Sequence, residues 1–450
     1  MAGECDVRHS AIDRQPGRWR TYCRSNFTAG DHCRPVRAGP NLLRNNGNGR
    51  RGTMCSDSIV RPLAPTEAAF VQMGGFTGYS LIVDGPLDQG CLRLAFQLLR
   101  RSIPILATRL RSEGDEYLLV ASGDAAEITT VRGDIDQPLA GSEMDPARAL
   151  AGLHLVRDGD RTSVTLLTHH GIADAHHSLA IFDELWSLYT DLYESTRVGL
   201  ENHCYPESLE QVLTDRGFPA AGGGASVRST GTVLPISDKP AIFAHHRFES
   251  DATDRMLAYV RQHGLTVNGL ISAAILRAES TRRGVAVSEI VYLYAADLRH
   301  RLVPPVAVLG GTTMLGTVLF QARSDRADLA DLARDITDRG TADLSDGTVQ
   351  RRARIPGLPP ELEQTSYPIV NSSNWGRIPE FRLPVELVAL EFRPAAFCPP
   401  VRMPVPPFYV ITGFAGRLGI HIGANDPVEL LFAQQKLAAV AAELGGITGT

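Results

Sequence analysis

The chain is nearly devoid of lysine. Of its 45 basic residues only Lys239 and Lys436 are lysines, and the rest are arginines. It also lacks a basic excess: 50 acidic residues leave a net charge of −5. That balance argues against a general nucleic-acid binder, which carries a cationic surplus. No apolar run reaches the roughly 18 residues that a membrane-spanning helix needs. Met1–Ser10 lacks the apolar core of a secretory signal. The seven cysteines, at 5, 23, 33, 55, 91, 204 and 398, form no C-x-x-C pair. So few thiols at such uneven spacing in a long chain make a disulfide framework implausible. A reducing, cytoplasmic setting is expected. Cys5, Cys23 and Cys33 with His32 match no usual zinc-finger spacing. No G-x-S-x-G elbow and no H-E-x-x-H pair occur, which argues against the hydrolases built on those motifs.

What is present is the composition of a globular chain: 43% hydrophobic and 21% charged over 450 residues, enough for two ordinary domains. Residues 1–53 stand apart. Ten arginines face only Glu4, Asp6, Asp13 and Asp31, an excess of six positive charges, and no periodicity is visible. Such a stretch buries too little apolar surface to offset its ordering entropy. It is expected to be a disordered tail or a non-native extension, with the fold starting near Met54. Residues 54–450 then carry the remaining −11.

From there αβ alternation runs to the end. Pro65–Glu67 opens a helix, Tyr79–Val83 reads as a strand, and Asp88–Leu99 is amphipathic. Strands are predicted over Leu118–Ala121, Leu153–Arg157 and Ser163–Thr168, the last with Val164 and Leu166 alternating against Ser163 and Thr165. Leu179, Phe182, Leu185, Trp186, Tyr189 and Tyr193 step as a helix with a broad buried face. A Gly- and Ala-rich linker over 220–237 divides the body into 54–219 and 238–450. The second part has helices over Asp251–His263 and Val267–Arg282, a strand over Ile290–Ala295, and a hairpin through Gly413–Gly416. Its last helix is capped by Asp426 before Pro427 and is expected to stop at Gly445–Gly446.

The informative segment is Thr168-His169-His170-Gly171-Ile172-Ala173-Asp174-Ala175-His176-His177. A strand delivers two histidines to its carboxyl end, where α/β proteins place reactive groups. Neighbouring strand residues face opposite ways, so one histidine can serve as acid–base while the other packs. Asp174 sits at the helix entry, able to cap it or to pair with an arginine. Four readings share these residues. They are His170 as a general base, two satisfied structural histidines beside a capping aspartate, a metal site using His169, His170, Asp174, His176 and His177, and a Ser-His-Asp hydrolase.

The segment His169-His170-Gly171-Ile172-Ala173-Asp174 resembles the H-H-x-x-x-D-G signature of the CoA- and carrier-dependent acyltransferases. That superfamily includes chloramphenicol acetyltransferase and the condensation domains of peptide synthetases. Within it the sequence is most similar to the polyketide-associated acyltransferases. The likeness runs through 54–450, including Gly264–Ile275 and Tyr294-Ala295-Ala296-Asp297-Leu298-Arg299. Two positions depart from the superfamily. The motif glycine is Ala175, where a side chain would be costly if φ were positive. The D-F-G-W-G motif is represented by Ser372-Ser373-Asn374-Trp375-Gly376.

The resemblance implies an α/β fold of two chloramphenicol-acetyltransferase-like subdomains with a channel between them. It implies an O-acyltransferase moving a long-chain or methyl-branched acyl group onto a phthiocerol-like lipid alcohol or diol. His170 would be the base for direct attack on the thioester. His169, Asp174 and Arg299 would support the site, with Asp174 pairing to Arg299, and Asn268 and Trp375 would contact substrate. No cofactor or metal is implied, only acyl-CoA or a phosphopantetheinyl acyl carrier domain of a polyketide synthase as donor, and the protein would act as a monomer. Arg282–Arg283 and Arg351-Arg352-Arg354 are candidate carrier-docking patches. Ile271–Leu276 and Leu387–Phe392 are apolar enough to line a channel for a long acyl chain, with core packing as the default reading. Amide formation on an amine, or carrier docking without catalysis, are the other outcomes.

Overall fold

A computed structural model describes residues 58–123, 127–219, 239–325, 328–355, 362, 365–397 and 408–449. All of these lie in the unit Met54–Thr450. The 1–53 segment, the 220–237 linker, Cys5, Cys23, Cys33, His32, Cys55 and Cys398 fall outside the described residues.

The chain order begins β1 (Ile59–Pro62), α1 (Pro65–Gln72), β2 (Phe76–Asp84), α2 (Gln89–Ser102), β3 (Thr108–Glu113), β4 (Glu116–Ala121), β5 (Glu127–Arg132), β6 (Ala151–Asp158), β7 (Arg161–His169), α3 (Ala175–Tyr193) and α4 (Leu209–Asp215). It continues β8 (Ile242–Arg247), α5 (Ser250–Gln262), α6 (Val267–Arg283), β9 (Val291–Asp297), β10 (Leu315–Phe320), α7 (Leu329–Ser345), α8 (Thr348–Arg352), β11 (Ile369–Arg377), β12 (Val388–Ala396), β13 (Phe408–Phe414), β14 (Arg417–Ala424) and α9 (Pro427–Thr448). Side-chain caps start the longer helices where the sequence offers an oxygen. Asp88 accepts from Cys91 N–H, Asp174 from His177 N–H, Thr266 from Gly269 N–H, and Asp426 from Val428 and Glu429 N–H.

Three sheets form. The largest has the order β10-β9-β11-β13-β14-β8, a second β12-β2-β7-β6-β5, and a small one β1-β4-β3. The sheets do not divide at residue 220. Strand β12 comes from the second half of the chain yet pairs antiparallel with β2, from Val388↔Asp84 to Ala396↔Thr77. Two main cores result. One gathers α2, α3 and the five-stranded sheet around Phe96, Phe182 and Trp186; the other gathers α5, α6, α7 and α9 around Ile275, Tyr292 and Leu437.

The fold decides three local readings. Strand β7 is buried on both faces: Ser163 and Thr165 are as inaccessible as Val164 and Leu166. On the polar face Thr165 is bonded to Ser80 of β2, while Ser163 Oγ has no hydrogen-bond partner among the described residues. Helix α9 runs through Gly445 and Gly446 to Thr448 and ends on Gly449, whose φ of 72° supplies the left-handed cap. Beyond the two glycines, buried Thr448 anchors the last turn, its carbonyl accepting from Arg255 Nε at 2.9 Å. Finally, Ile271–Leu276 is core of α6, while Leu387 and Phe392 are core of the five-stranded half; none of these residues walls the main cavity.

Helices α6 and α7 approach closely at Gly269. A Cβ there would lie 2.6 Å from the Ala333 carbonyl oxygen and collide with the Thr337 hydroxyl. Gly269→Ala is therefore expected to destabilise the fold by about 1–3 kcal/mol, the usual cost of overpacking. Chemical denaturation would read this as a lower midpoint.

Candidate active site

The site is built where β7 runs out. His169 N–H donates to Leu150 O at 2.8 Å and His170 N–H to Gly75 O at 2.6 Å, which fixes the strand end between two neighbours. At the turn, Gly171 N–H donates to His169 Nδ1 at 3.0 Å. That bond makes Nδ1 an acceptor and leaves the ring proton on Nε2. A Cβ on Gly171 would crowd the Glu67 carbonyl oxygen at 3.0 Å. His169 is 1% exposed and sits edge-on to Phe76. Burial pushes its pKa down to about 3, so it stays neutral.

His170 faces the other way. Its ring stacks on Phe70 with centroids 4.0 Å apart and planes 7° apart, and it reaches a cavity of about 930 Å³. Its carbonyl accepts from the Thr313 hydroxyl at 2.6 Å. Its Nδ1 is shut off from solvent and makes no hydrogen bond to another described residue. Burial lowers its pKa, opposed by its own backbone carbonyl and by the Asp174 carboxylate. The result is a neutral imidazole at ordinary pH.

Asp174 is wholly buried. One oxygen caps α3; the other accepts from Arg299 Nη1 and from Met314 N–H, each at 2.8 Å. Arg299, 1% exposed, also donates to Asp297 and to the carbonyls of Val308, Gly311 and Thr312. Desolvation would raise the Asp174 pKa, but the guanidinium and the N–H donors outweigh it and hold the carboxyl below its usual range. His177 Nδ1 bonds the Gly311 carbonyl at 3.0 Å, and Thr312 donates to buried Glu67 at 2.7 Å. The segment 311–314 is thus pinned to the β7–α3 turn from both sides.

Ala175 opens α3 and lies outside the positive-φ residues, so the alanine carries no backbone strain; its methyl lines the cavity. Trp375 also lines it, packed 5.0 Å from Tyr79. Asn268 does not reach the cavity. It accepts from Asn374, which does, at 3.4 Å. The cap of α6 is Thr266. Arg282 and Arg283 line the cavity, whereas Arg354 is spent on the carbonyls of Glu210 and Phe218. Sequence reasoning missed Phe70, Tyr79, Thr313 and Met314, none of which carries a local motif. Asp297 was quoted only within a motif; it lines the cavity with its carboxylate 3.7 Å from His176 Nδ1.

The His170 imidazole makes no hydrogen bond to a serine, threonine or cysteine side chain among the described residues; the Thr313 hydroxyl reaches only its backbone carbonyl, so no covalent nucleophile is coupled to the ring. No group of three or more metal-ligating side chains occurs among the described residues. No described helix is long and apolar enough to cross a membrane. What the geometry offers is a neutral base opening into a largely apolar cavity.

The profile of the family described as phthiocerol/phthiodiolone dimycocerosyl transferase C-terminus matches residues 238–423. A phthiocerol/phthiodiolone dimycocerosyl transferase of Mycobacterium tuberculosis (strain ATCC 25618 / H37Rv) is 29% identical over 427 residues, covering 88% of this chain and 100% of the relative. One from Mycobacterium sp. (strain JLS) is 31% identical over 337 residues, covering 69% and 82%. Among solved structures, polyketide synthase associated protein 5 from Mycobacterium tuberculosis matches with a TM-score of 0.74 at 26% identity, over 88% of this chain and 100% of that one. The first condensation domain of the calcium-dependent antibiotic synthetase matches with a TM-score of 0.62 at 14% identity, over 87% and 98%, and shares the fold. The fold is accordingly the two-subdomain, chloramphenicol-acetyltransferase-like one, and the chain is an acyltransferase that belongs to the phthiocerol/phthiodiolone dimycocerosyl transferase family.

Proposed function

We propose that this acyltransferase moves a long-chain or methyl-branched acyl group from a CoA or carrier-protein thioester to a phthiocerol-like lipid alcohol or diol. His170 takes the hydroxyl proton, and the oxygen attacks the thioester carbonyl. The new C–O bond forms, the C–S bond breaks, and the protonated imidazole returns its proton to the leaving thiolate. The observation that supports this most is the placement of His170: neutral, stacked on Phe70, and open to a cavity walled by Tyr79, Trp375 and Phe397. The names of the relatives support the lipid acceptor. The donor carrier would be an acyl carrier domain of a polyketide synthase, and the protein would act as a cytoplasmic monomer.

The test is acyl transfer from palmitoyl-CoA to a long-chain alcohol, with a long-chain amine and a short alcohol as controls. Ester formation favouring the long alcohol is expected. Preferential amide formation would shift the reading to a condensation enzyme. No product from CoA or carrier-bound donors would leave a docking module.

A further inference from the structure

The cavity that receives His170 carries its positive charge on helices α6 and α9. Arg282 and Arg283 from the last turn of α6 and Lys436 from α9 line it together. In a chain with two lysines and a net charge of −5, this is a conspicuous cluster. It is also built. Glu279, 1% exposed, accepts from Arg283 Nε at 2.8 Å and from the Tyr409 hydroxyl at 2.7 Å, and it lies 3.6 Å from Lys436 Nζ. The buried carboxylate thus anchors two of the cations in place. Arg282 has no carboxylate partner among the described residues; burial first of all lowers the Lys436 ammonium pKa, Glu279 opposes it, and the charges of Arg283 and Arg282 add to the fall. Against these three cations stand Glu279 and Glu429, which leaves one positive charge at this end; the cavity's other carboxylate, Asp297, is bonded to Arg299. Like charges gathered with a surplus await an anion.

We propose that Arg282, Arg283 and Lys436 form a subsite for the phosphate of the donor's pantetheine arm. The inference rests on the thioester-donor reading above and adds to it the group by which the donor is held. A pantetheine thioester carries its acyl group at one end and a phosphate ester at the other. The arm can lie along one cavity with the carbonyl at His170 and the phosphate on the α6–α9 cations. Arginine forks and a lysine ammonium suit phosphate oxygens, with charge-assisted bonds stronger than neutral ones. Free CoA and a carrier-bound arm both present this phosphate.

The experiment compares four octanoyl donors with one long-chain alcohol: the thioesters of pantetheine, 4′-phosphopantetheine, CoA and a phosphopantetheinylated acyl carrier protein. Wild type is expected to show a KM for the 4′-phosphopantetheine thioester about tenfold below that for the pantetheine thioester, as one charge-assisted contact implies. Arg282→Gln removes a cation that no carboxylate depends on, and is expected to erase most of that advantage. Arg282→Lys is expected to keep part of it. The KM shift should appear only with donors that carry phosphate. A shift with CoA but not with the carrier-bound donor would assign the subsite to free CoA; the reverse would assign it to the carrier. Equal KM values for pantetheine and phosphopantetheine thioesters in wild type would overturn the subsite while leaving the acyltransferase reading intact. So would an Arg282→Gln shift of equal size with both donors. No transfer from any of the four would overturn the thioester-donor reading itself.

Discussion

A His170→Ala variant is expected to fold normally and to turn over about 10²–10⁴-fold more slowly, the usual contribution of a positioned general base. Its ring is the titratable group that faces the cavity from the β7–α3 turn with a neutral nitrogen to offer. Truncating it removes the stack on Phe70 but no side-chain hydrogen bond, so the loss should appear in kcat more than in the unfolding midpoint. His169→Ala should behave oppositely. That ring is sealed in the core and accepts from Gly171 N–H, so its removal opens a void and frees the turn. The pH profile gives an independent reading. With His170 as the proposed base, transfer would need the unprotonated ring, and burial lowers its pKa, so the acid limb should lie below the ordinary histidine midpoint near 6.5. A variant with near-normal ester formation would remove His170 from the chemistry.

The second large effect is expected at Asp174. Asp174→Ala leaves Arg299 buried beside an empty position and strips Met314 N–H and His177 N–H of their acceptor. Breaking one side of a buried pair costs about 3–5 kcal/mol. The variant should therefore lose stability and activity together, seen as a large fall in the urea midpoint. Replacing both partners, as Asp174→Leu with Arg299→Met, should recover part of the stability without activity, because the turn that presents His170 would no longer be clamped. The ion pair also sets a pH dependence. The folded Asp174 pKa lies below its unfolded value near 3.8, so its stabilisation is complete above that value. It is lost as the pH falls through the folded pKa, which places the effect in strong acid. An Asp174→Ala protein as stable as wild type would show that the pair does no structural work.

Local signals carried the sequence reading furthest. The 3.6-residue stepping of α3, the Asp426–Pro427 start of α9 and the β13–β14 hairpin all depend on residues near one another in the chain. The His-His segment was legible for the same reason: strand end, turn and cap are consecutive. Strand β12 was not legible. Its sequence VALEFRPAA carries two charges and a proline, and its partner β2 lies some 300 residues earlier. The two apolar runs offered as core or as channel wall are core, and the sequence left both readings open because an apolar run marks burial without saying whether a core or a cavity lies against it. Ile271–Leu276 is apolar because it faces helices, while Thr77, Ser373 and Asn374 meet the cavity. Met314 contributes a backbone N–H that almost any residue could supply, and Thr313 a hydroxyl with no motif around it, so only the folded chain reveals them.

The crossing of β12 also bears on how firmly one wall of the cavity is held. Residues Pro394–Ala396 of that strand line the cavity while their backbones are laced to β2, and the strands before and after it in the chain, β11 and β13, belong to the other sheet. That wall is a hem stitched along its length to an element laid down some 300 residues earlier in the chain. Peeling it away would unzip the whole β12–β2 ladder, a cooperative loss of many hydrogen bonds at once.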